Sequence, residues 1–404
     1  MRALLITNDF PPMPGGEATL YARICATVPP QAVLVLAPHV AGDRGSDARQ
    51  PYRIIRRHAP VHPHPIARLC QLVILGLCAA RLVRREGVTA VHVAHLYLGP
   101  IALVLRRVLG VPYVLYLHGG EMAPYMRWRP IRRLADAVVR GAGRIVVNSE
   151  FTRRHYAALG MAHPSTDVLA PGVDVVRFRP DAGVEAARAR YRVNGARTIL
   201  TVGRLIERKG HDMVIAALPA IRRATGAVRY VIAGAGPEEP RLRELAHRAG
   251  CAEDVVFAGH VADDELPALY AACDVFVMPS RALAQRDGIE GFGIVFLEAG
   301  ACGKPVVGGK SGGIADAVAD GVTGILVDPE NVEEIVRAII GLLRDRDAAG
   351  RMGAEGRRRA EALETAWRRT VLAIWTAATG PAPSLTAAGD SPGRGASHPL
   401  ERAK

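Results

Sequence analysis

Two kinds of run alternate along the chain. Stretches such as Val-Leu-Val-Leu at 33–36 and Ile-Val-Val at 145–147 are apolar at every position, while the segments between them carry apolar residues at helical spacing. A strand that is apolar on both faces belongs in a parallel sheet covered by helices on both sides. The predicted strands of the first half are 3–7, 32–37, 90–94, 113–118, 144–148 and a short one at 167–169. Those of the second half are 198–202, 229–233, 255–257, 274–278, 305–307 and 324–327. Helices are expected around 19–28, 66–85, 101–109, 130–141, 150–159, 212–223, 241–249, 263–271, 332–344 and 366–377. The alternation restarts near Thr198, after a Pro/Asp/Gly-bearing stretch at 180–183 and a short charged helix. The pattern therefore predicts an α/β protein of two doubly wound Rossmann-like domains, 1–178 and 198–364, with a linker at 179–197. A helix at 365–378 follows. The segment 379–404 is rich in Gly, Pro, Ser and Ala without periodicity and is expected to be disordered.

Composition adds asymmetry to this picture. The formal charge is +13, and residues 1–180 hold 23 Arg, no Lys and only 10 acids, so the whole excess lies in the first half. A one-sided basic domain points to a polyanionic partner: nucleic acid, an anionic membrane surface or a phosphorylated substrate. No nucleic-acid motif accompanies the charge, which ranks nucleic acid lowest. The segment Met126-Arg-Trp-Arg-Pro-Ile-Arg-Arg133, with Arg53, Arg56, Arg57 and Arg68, has the make-up of a surface that lies on anionic headgroups. A solvated basic face is the plain alternative. The longest apolar run, 69–80, is short of the roughly 20 residues of a membrane-spanning helix and contains Gln71. The N-terminus turns polar after a few apolar residues, which reads as a buried strand rather than a signal peptide. Six cysteines without C-x-x-C spacing form neither a disulfide framework nor a zinc site and are expected to be reduced cytosolic thiols.

Candidate chemistry sits at the ends of predicted strands. Glu290-Gly-Phe-Gly-Ile-Val-Phe-Leu-Glu298 follows a strand and a polar loop and runs into a helix at Gly293. Glycines at a helix N-terminus let backbone N–H groups reach a phosphate, and the helix dipole favours its charge. Glu298 is placed to accept from a ribose diol and Glu290 from a sugar hydroxyl. Thr201-Val-Gly-Arg-Leu-Ile-Glu-Arg-Lys-Gly210 brings Arg204 and Lys209 to the same edge, where two cations suit a diphosphate and the charge it develops on leaving. Ala233-Gly-Ala-Gly-Pro-Glu238 is an incomplete dinucleotide fingerprint, which counts against a dehydrogenase. In the first half, Gly15 and Gly16 of Pro-Gly-Gly-Glu offer a second backbone contact for a phosphate. His118 of His-Gly-Gly-Glu ends a strand, where it can bond a sugar or move a proton. The other twelve histidines read as surface or core residues. The D-x-D at Asp345–Asp347 lies far along the chain from the glycine loops, and no metal is assigned to it.

Taken in order, the paired glutamates, Gly203-Arg-Leu-x-x-x-Lys-Gly210, the N-terminal Gly-Gly turn, Asn148-Ser-Glu-Phe-Thr-Arg-Arg154 and Pro171-Gly-Val-Asp-x-x-x-Phe-x-Pro180 resemble a family 4 retaining glycosyltransferase of GT-B fold, over roughly residues 1–378. Within that family the 287–307 and 118–122 stretches look most like the phosphatidylinositol mannoside mannosyltransferases that use GDP-mannose. The resemblance implies that Arg204 and Lys209 hold the donor diphosphate, Glu290 the transferred sugar and Glu298 the ribose. Gly291, Phe292 and Gly293, continuing into Ile294 and Val295, lend backbone to phosphate and sugar. Gly16 closes over the diphosphate, His118 contacts the sugar near its anomeric carbon, and the base is read by backbone near His260 and Val261. The first domain docks a lipid or glycan acceptor, the second the donor, and the helix around Trp367–Trp375 crosses back to the first.

Catalytic roles fall to His118, Glu290, Arg204 and Lys209. Where relatives carry a second polar residue after the histidine, this chain has Gly120. No cofactor is expected, the donor being GDP-mannose with a UDP-sugar as the alternative, and the enzyme is expected at the inner face of the cell membrane. A UDP-sugar enzyme acting on a soluble acceptor, a non-hydrolysing nucleotide-sugar epimerase and a non-catalytic membrane-binding protein are the competing readings.

Overall fold

The computed structural model describes residues 2–13, 15–61, 64–120, 128–283 and 288–379. Two parallel sheets carry it. The first has seven strands: β1 (Arg2–Ile6), β2 (Val33–Pro38), β3 (Arg53–Arg57), β4 (Val88–Val93), β5 (Tyr113–Leu117), β6 (Arg144–Val147) and β7 (Thr166–Val168). The second has six: β8 (Arg197–Val202), β9 (Val228–Ala233), β10 (Val255–Gly259), β11 (Val275–Met278), β12 (Val306–Gly309) and β13 (Gly324–Val327). The orders are β3-β2-β1-β4-β5-β6-β7 and β10-β9-β8-β11-β12-β13, so each sheet reverses direction beside its first strand, between β1 and β4 and between β8 and β11. In such sheets ligands sit outside the carboxyl ends of the strands at the reversal.

The helices of the first half are α1 (Gly16–Thr27), α2 (Asp43–Asp47), α3 (Pro65–Arg85), α4 (Gly99–Leu109), α5 (Arg129–Gly141) and α6 (Glu150–Ala158). They are followed by α7 (Val184–Arg190), α8 (His211–Thr225), α9 (Glu239–Arg248), α10 (Leu266–Ala272), α11 (Ile294–Ala301), α12 (Ile314–Ala317), α13 (Val332–Arg344) and α14 (Arg346–Thr379). Leu200, Val231, Phe276 and Val306 pack with one set of helices and Ile199, Tyr230, Val275 and Val307 with another, as expected of strands covered on both faces.

Besides the short unpredicted helices α2 and α12, three elements depart from the sequence reading. β3 is an unpredicted edge strand, because only Ile54 and Ile55 break its arginines and an edge needs little more. Its Arg56 is buried and donates to Asp47 Oδ1 at 2.8 Å and to the Pro38 carbonyl at 3.1 Å, so this cation belongs to the fold and not to a membrane-facing surface. The last helix is far longer than expected. Gly350, Gly353 and Gly356 disguise its first half in the sequence; a side chain at Gly353 or Gly356 would run into the backbone of Gly303 or Gly300 beside α11. Finally, α3 is 21 residues with a mean hydropathy of 1.9 over its most apolar window, long and apolar enough to cross a membrane by length and composition. Its inner side nevertheless ties it to the first sheet, with Leu75, Ala79 and Leu82 in one cluster with Leu34, Leu36 and Val91.

α14 reaches the first half. Trp367, Val371, Ile374 and Trp375 share a core with Ala3, Leu5, Tyr21 and Val35. Arg23 of α1 lies 4.5 Å from the Trp367 ring centroid and 2.6 Å from Glu364 Oε2, binding the helix on its polar side too. The expected tail beyond Thr379 lies outside the described residues.

Candidate active site

At the carboxyl edge of the second sheet, β8 runs into Gly203-Arg-Leu and a 3-10 turn at Glu207–Lys209 before α8. The turn after β9 clamps this loop backbone to backbone: Gly203 N–H donates to the Ala233 carbonyl at 2.9 Å and Leu205 N–H to the Ala235 carbonyl at 3.0 Å. The Ala-Gly-Ala-Gly segment is thus a structural support for the Arg204 loop. Lys209 Nζ is 2.7 Å from Glu290 Oε2, and Arg208 reaches the same oxygen. Burial works to raise the Glu290 carboxyl, but the charges of Lys209 and Arg208 outweigh it and hold it at about 2. Glu290 is therefore a fixed carboxylate at neutral pH. Burial pulls Lys209 down from its ordinary value, with Glu290 pulling the other way.

Beyond Glu290 the chain turns into α11. Gly293 is its N-cap at φ +93°, a conformation open to glycine, with the Phe296 ring packed beneath it. Phe292 is buried, and Ile294 and Val295 open the helix with their N–H groups at its positive end. Glu298, one turn on, accepts from the Tyr270 hydroxyl at 2.7 Å, and burial raises its carboxyl above the usual range. Val261 is buried just past β10, beside the exposed His260.

The two halves meet at this turn. A side chain at Gly291 would strike the His118 carbonyl, and one at Gly16 would lie 3.7 Å from Ile294 Cγ2. Gly15, at φ +143°, caps α1, so the N-termini of α1 and α11 face each other. Phe151 N–H donates to Asp316 Oδ2 at 2.9 Å across the same seam. His118 follows β5 and its Nε2 lies 2.5 Å from the Tyr21 hydroxyl. That hydroxyl gives its one proton to the Ala94 carbonyl at 2.6 Å, so toward His118 Nε2 it acts as the acceptor.

Arg204, Lys209, Glu290, the 291–295 turn, Gly15, Gly16 and His118 all lie along this seam. Glu121 and Met122 after His118, Pro14, and Asp287 ahead of the glutamate motif lie outside the described residues. The sequence reading missed Arg208 as a partner of Glu290, and it missed an entire cluster beside His118. His95 Nε2 is 2.8 Å from Asp9 Oδ2 and its Nδ1 is 3.6 Å from Glu17 Oε2. Burial would raise the Asp9 carboxyl, but His95, then His118 and Arg204, lower it on balance. Among the described residues, Glu17, His95 and His118 also bring one ligand atom each to within 4.8 Å of one another, a grouping with metal-binding chemistry. The available signal was position: Asp9 and His95 each follow a central strand within three residues.

A side of cations and helix N–H groups facing a side of carboxylates and imidazoles can hold an anionic group against a hydroxylated one. The sequence comparisons agree with that geometry. The model of glycosyltransferase family 4 matches residues 15–177 and that of glycosyl transferases group 1 matches residues 184–359. The chain is 38% identical to a GDP-mannose-dependent alpha-(1-6)-phosphatidylinositol monomannoside mannosyltransferase of Mycobacterium tuberculosis, covering 92% of this chain and 96% of that one. It is 29% identical to the monoacylated-substrate counterpart of Corynebacterium glutamicum, over 91% and 94% of the two chains. Among solved structures, Anabaena HepE in complex with UDP-glucose superimposes with a TM-score of 0.79 at 21% identity, covering 93% of this chain and 100% of that one. The chain belongs to the family 4 glycosyltransferases and has their two-sheet GT-B fold.

Proposed function

We propose that this glycosyltransferase moves mannose, with retention, from GDP-mannose to a phosphatidylinositol-based glycolipid at an anionic membrane surface. The observation that carries the reading is the Arg204–Lys209–Glu290 arrangement at the N-terminus of α11, in a chain this similar to enzymes named for that donor and acceptor class.

Arg204, Lys209 and the N–H groups of 291–295 take the diphosphate; Glu290 accepts from the mannose hydroxyls and Glu298 from the ribose. Gly15 and Gly16 close from the other side. The bond from the anomeric carbon to the diphosphate oxygen breaks as the acceptor oxygen bonds to the same face of that carbon. The acceptor proton passes to a donor phosphate oxygen. Stabilising the leaving diphosphate is the main catalytic contribution, because its charge grows in the transition state. His118 lies where the sugar's reacting end meets the first half.

For the membrane surface, α3, α4 and α5 bury their inner sides in one cluster, so they form a single layer with a common outer face. That face exposes Ile66, Leu69, Val73 and Leu77 of α3 and Val104 and Val108 of α4, with exposures from 51 to 70%. α5 and its N-cap, in the same layer, expose Trp128, Arg129, Arg132 and Arg133. Apolar side chains rimmed by arginines suit an anionic lipid interface. Binding there is peripheral, on the cytoplasmic leaflet.

The test is transfer from radiolabelled GDP-mannose, UDP-glucose or UDP-mannose to phosphatidylinositol monomannoside in mixed micelles. A product one hexose heavier, formed from the GDP sugar, is expected. Transfer from a UDP sugar alone rejects the donor assignment, and sugar turnover without any acceptor favours an epimerase.

A further inference from the structure

The glycosyl-transfer reading uses the carboxyl edge of the second sheet and leaves the amino edge without a role. A cavity of about 740 Å³ opens there, within the size range of small-molecule sites. Its floor is made by the starts of four strands. Arg197 opens β8, and Ala227, Asp274 and Pro305 stand directly before β9, β11 and β12. Arg188 of α7 contributes to the walls, with Leu342 and Leu343 at the end of α13 and Arg346 and Gly350 at the start of α14. The Arg204 loop and the Glu290 segment follow the other ends of β8 and β11, so this cavity is separate from the donor side.

The charges around it are not balanced. Arg188 is spent on the wall, where its guanidinium donates to the carbonyls of Ala272 at 2.8 Å, Val193 at 3.0 Å and Ala196 at 3.1 Å. Lys304 and Arg346 line the cavity uncommitted: among the described residues, neither has an ion pair or a side-chain hydrogen bond. The carboxylate in the lining, Asp274, accepts from Thr198 N–H at 2.7 Å and stands 4.0 Å from Arg197. Asp345 and Asp347 flank Arg346 without lining the cavity, and Asp345 accepts from Ala348 N–H at 2.8 Å. Arg188, Arg197, Lys304 and Arg346 against Asp274 leave a positive potential in a recess, where it is screened less than on an open face.

The lining also selects the size and chemistry of its ligand. A phosphate suits a lysine point charge and an arginine fork. The volume and the apolar side chains of Pro305, Leu342 and Leu343 call for an organic body on that phosphate. Burial pushes the Cys273 thiol in the same lining up to about 12, against the pull of Lys304, so the cavity offers no thiolate at neutral pH. We infer that this cavity binds a phosphorylated small molecule, a sugar phosphate or a nucleoside monophosphate, with Arg197, Lys304 and Arg346 taking the phosphate and the apolar lining taking its body. The inference does not depend on the glycosyl-transfer reading, whose donor lies at the opposite edge.

The experiment is calorimetry on the full chain saturated with GDP, which keeps the probes off the donor side. Mannose 6-phosphate and AMP are the probes; mannose, adenosine and inorganic phosphate are the controls. One of the two esters is expected to bind more tightly than inorganic phosphate, its unphosphorylated counterpart not at all, and which ester binds tells a sugar-phosphate site from a nucleotide site. Lys304→Gln and Arg346→Gln, at partly exposed and exposed positions, are each expected to weaken binding about 10–100-fold, the effect of a lost hydrogen bond to a charged group, with melting temperature unchanged. A side chain at Gly350 meets open space, so Gly350→Glu brings a carboxylate to the lining without removing a contact and should abolish binding. GDP affinity stays native in all three variants. Binding of neither ester, binding no tighter than that of inorganic phosphate, or native ester affinity in the three variants overturns the inference, the last by placing the ester elsewhere on the chain.

Discussion

The two strand-end faces have the same architecture and opposite polarity. Each lies at the carboxyl edge of a parallel sheet that reverses beside its first strand. The second presents Arg204, Arg208 and Lys209 with the glycine turn of α11, and Glu290 is pinned by two of those cations. The first presents Asp9, Glu17, His95 and His118, and its cations lie elsewhere, among them Arg129, Arg132 and Arg133 of α5. The fold supplies the two strand-end edges, and the residues after each strand give them opposite chemistry. The net charge of a half is a poor guide to its site: the excess of arginine lies in residues 1–180, yet the described crevice there is lined with carboxylates and imidazoles.

The largest effect is expected from separating the faces. Trp367 is buried in the first half's core on a helix that also packs on α11. Trp367→Ala removes that anchor and should cost about 3–5 kcal/mol of stability. Urea denaturation with separate probes for the two halves should show one cooperative transition become two. A single transition with an unchanged midpoint would show that α14 does not couple them.

Within the cationic face, Glu290→Ala removes the carboxylate proposed to hold the sugar and leaves two cations without their partner. Transfer should fall by at least about a hundredfold, as two hydrogen bonds to a charged group are lost, while GDP affinity changes little. The carboxyl, held at about 2 in the folded chain, stabilises the native state above its unfolded value near 4.5. That contribution fades as pH falls from about 4.5 toward 2, so the native chain should lose stability there more steeply than Glu290→Gln. Arg204→Ala and Lys209→Ala are expected to act on the nucleotide itself, weakening GDP binding by about 1.5–3 kcal/mol each in calorimetry. Native GDP affinity in both variants would remove the diphosphate from this face.

The cationic face was legible in the sequence because its chemistry is written locally. Gly203-Arg-Leu and Glu290-Gly-Phe-Gly are contiguous, and each joins a strand to a helix. The acidic face was not. Asp9 and His95 meet only because β4 lies beside β1, a pairing across more than eighty residues, and neither carries a glycine-rich signature. The buried role of Arg56 was hidden too, because its partners, Pro38 on β2 and Asp47 on α2, meet it only once β3 pairs with β2. Central strands were readable from apolar runs, whereas β3, two isoleucines among arginines, depends on β2 beside it. α14 was half hidden, because three glycines that weaken a helix in isolation are what let it approach α11.

The smallest effects belong to the surface where the first half's positive charge is placed. Each arginine near an anionic bilayer contributes about 1 kcal/mol at most, and less as salt shortens the Debye length. Replacing Arg129, Arg132 and Arg133 of α5 together by Ser should weaken sedimentation with phosphatidylserine vesicles, chiefly at low ionic strength. Replacing Ile66, Leu69, Val73 and Leu77 of α3 by Ser removes apolar contacts that salt does not screen, so that variant should lose binding at high salt as well. Both sets lie outside the two crevices, and GDP binding should be unaffected in each. Comparing the two salt profiles separates attraction to headgroups from burial among acyl chains. If the native chain binds neutral and anionic vesicles equally, the arginines do not serve the membrane. Equal transfer with and without lipid would then reject the lipid acceptor and leave the glycosyl-transfer assignment standing.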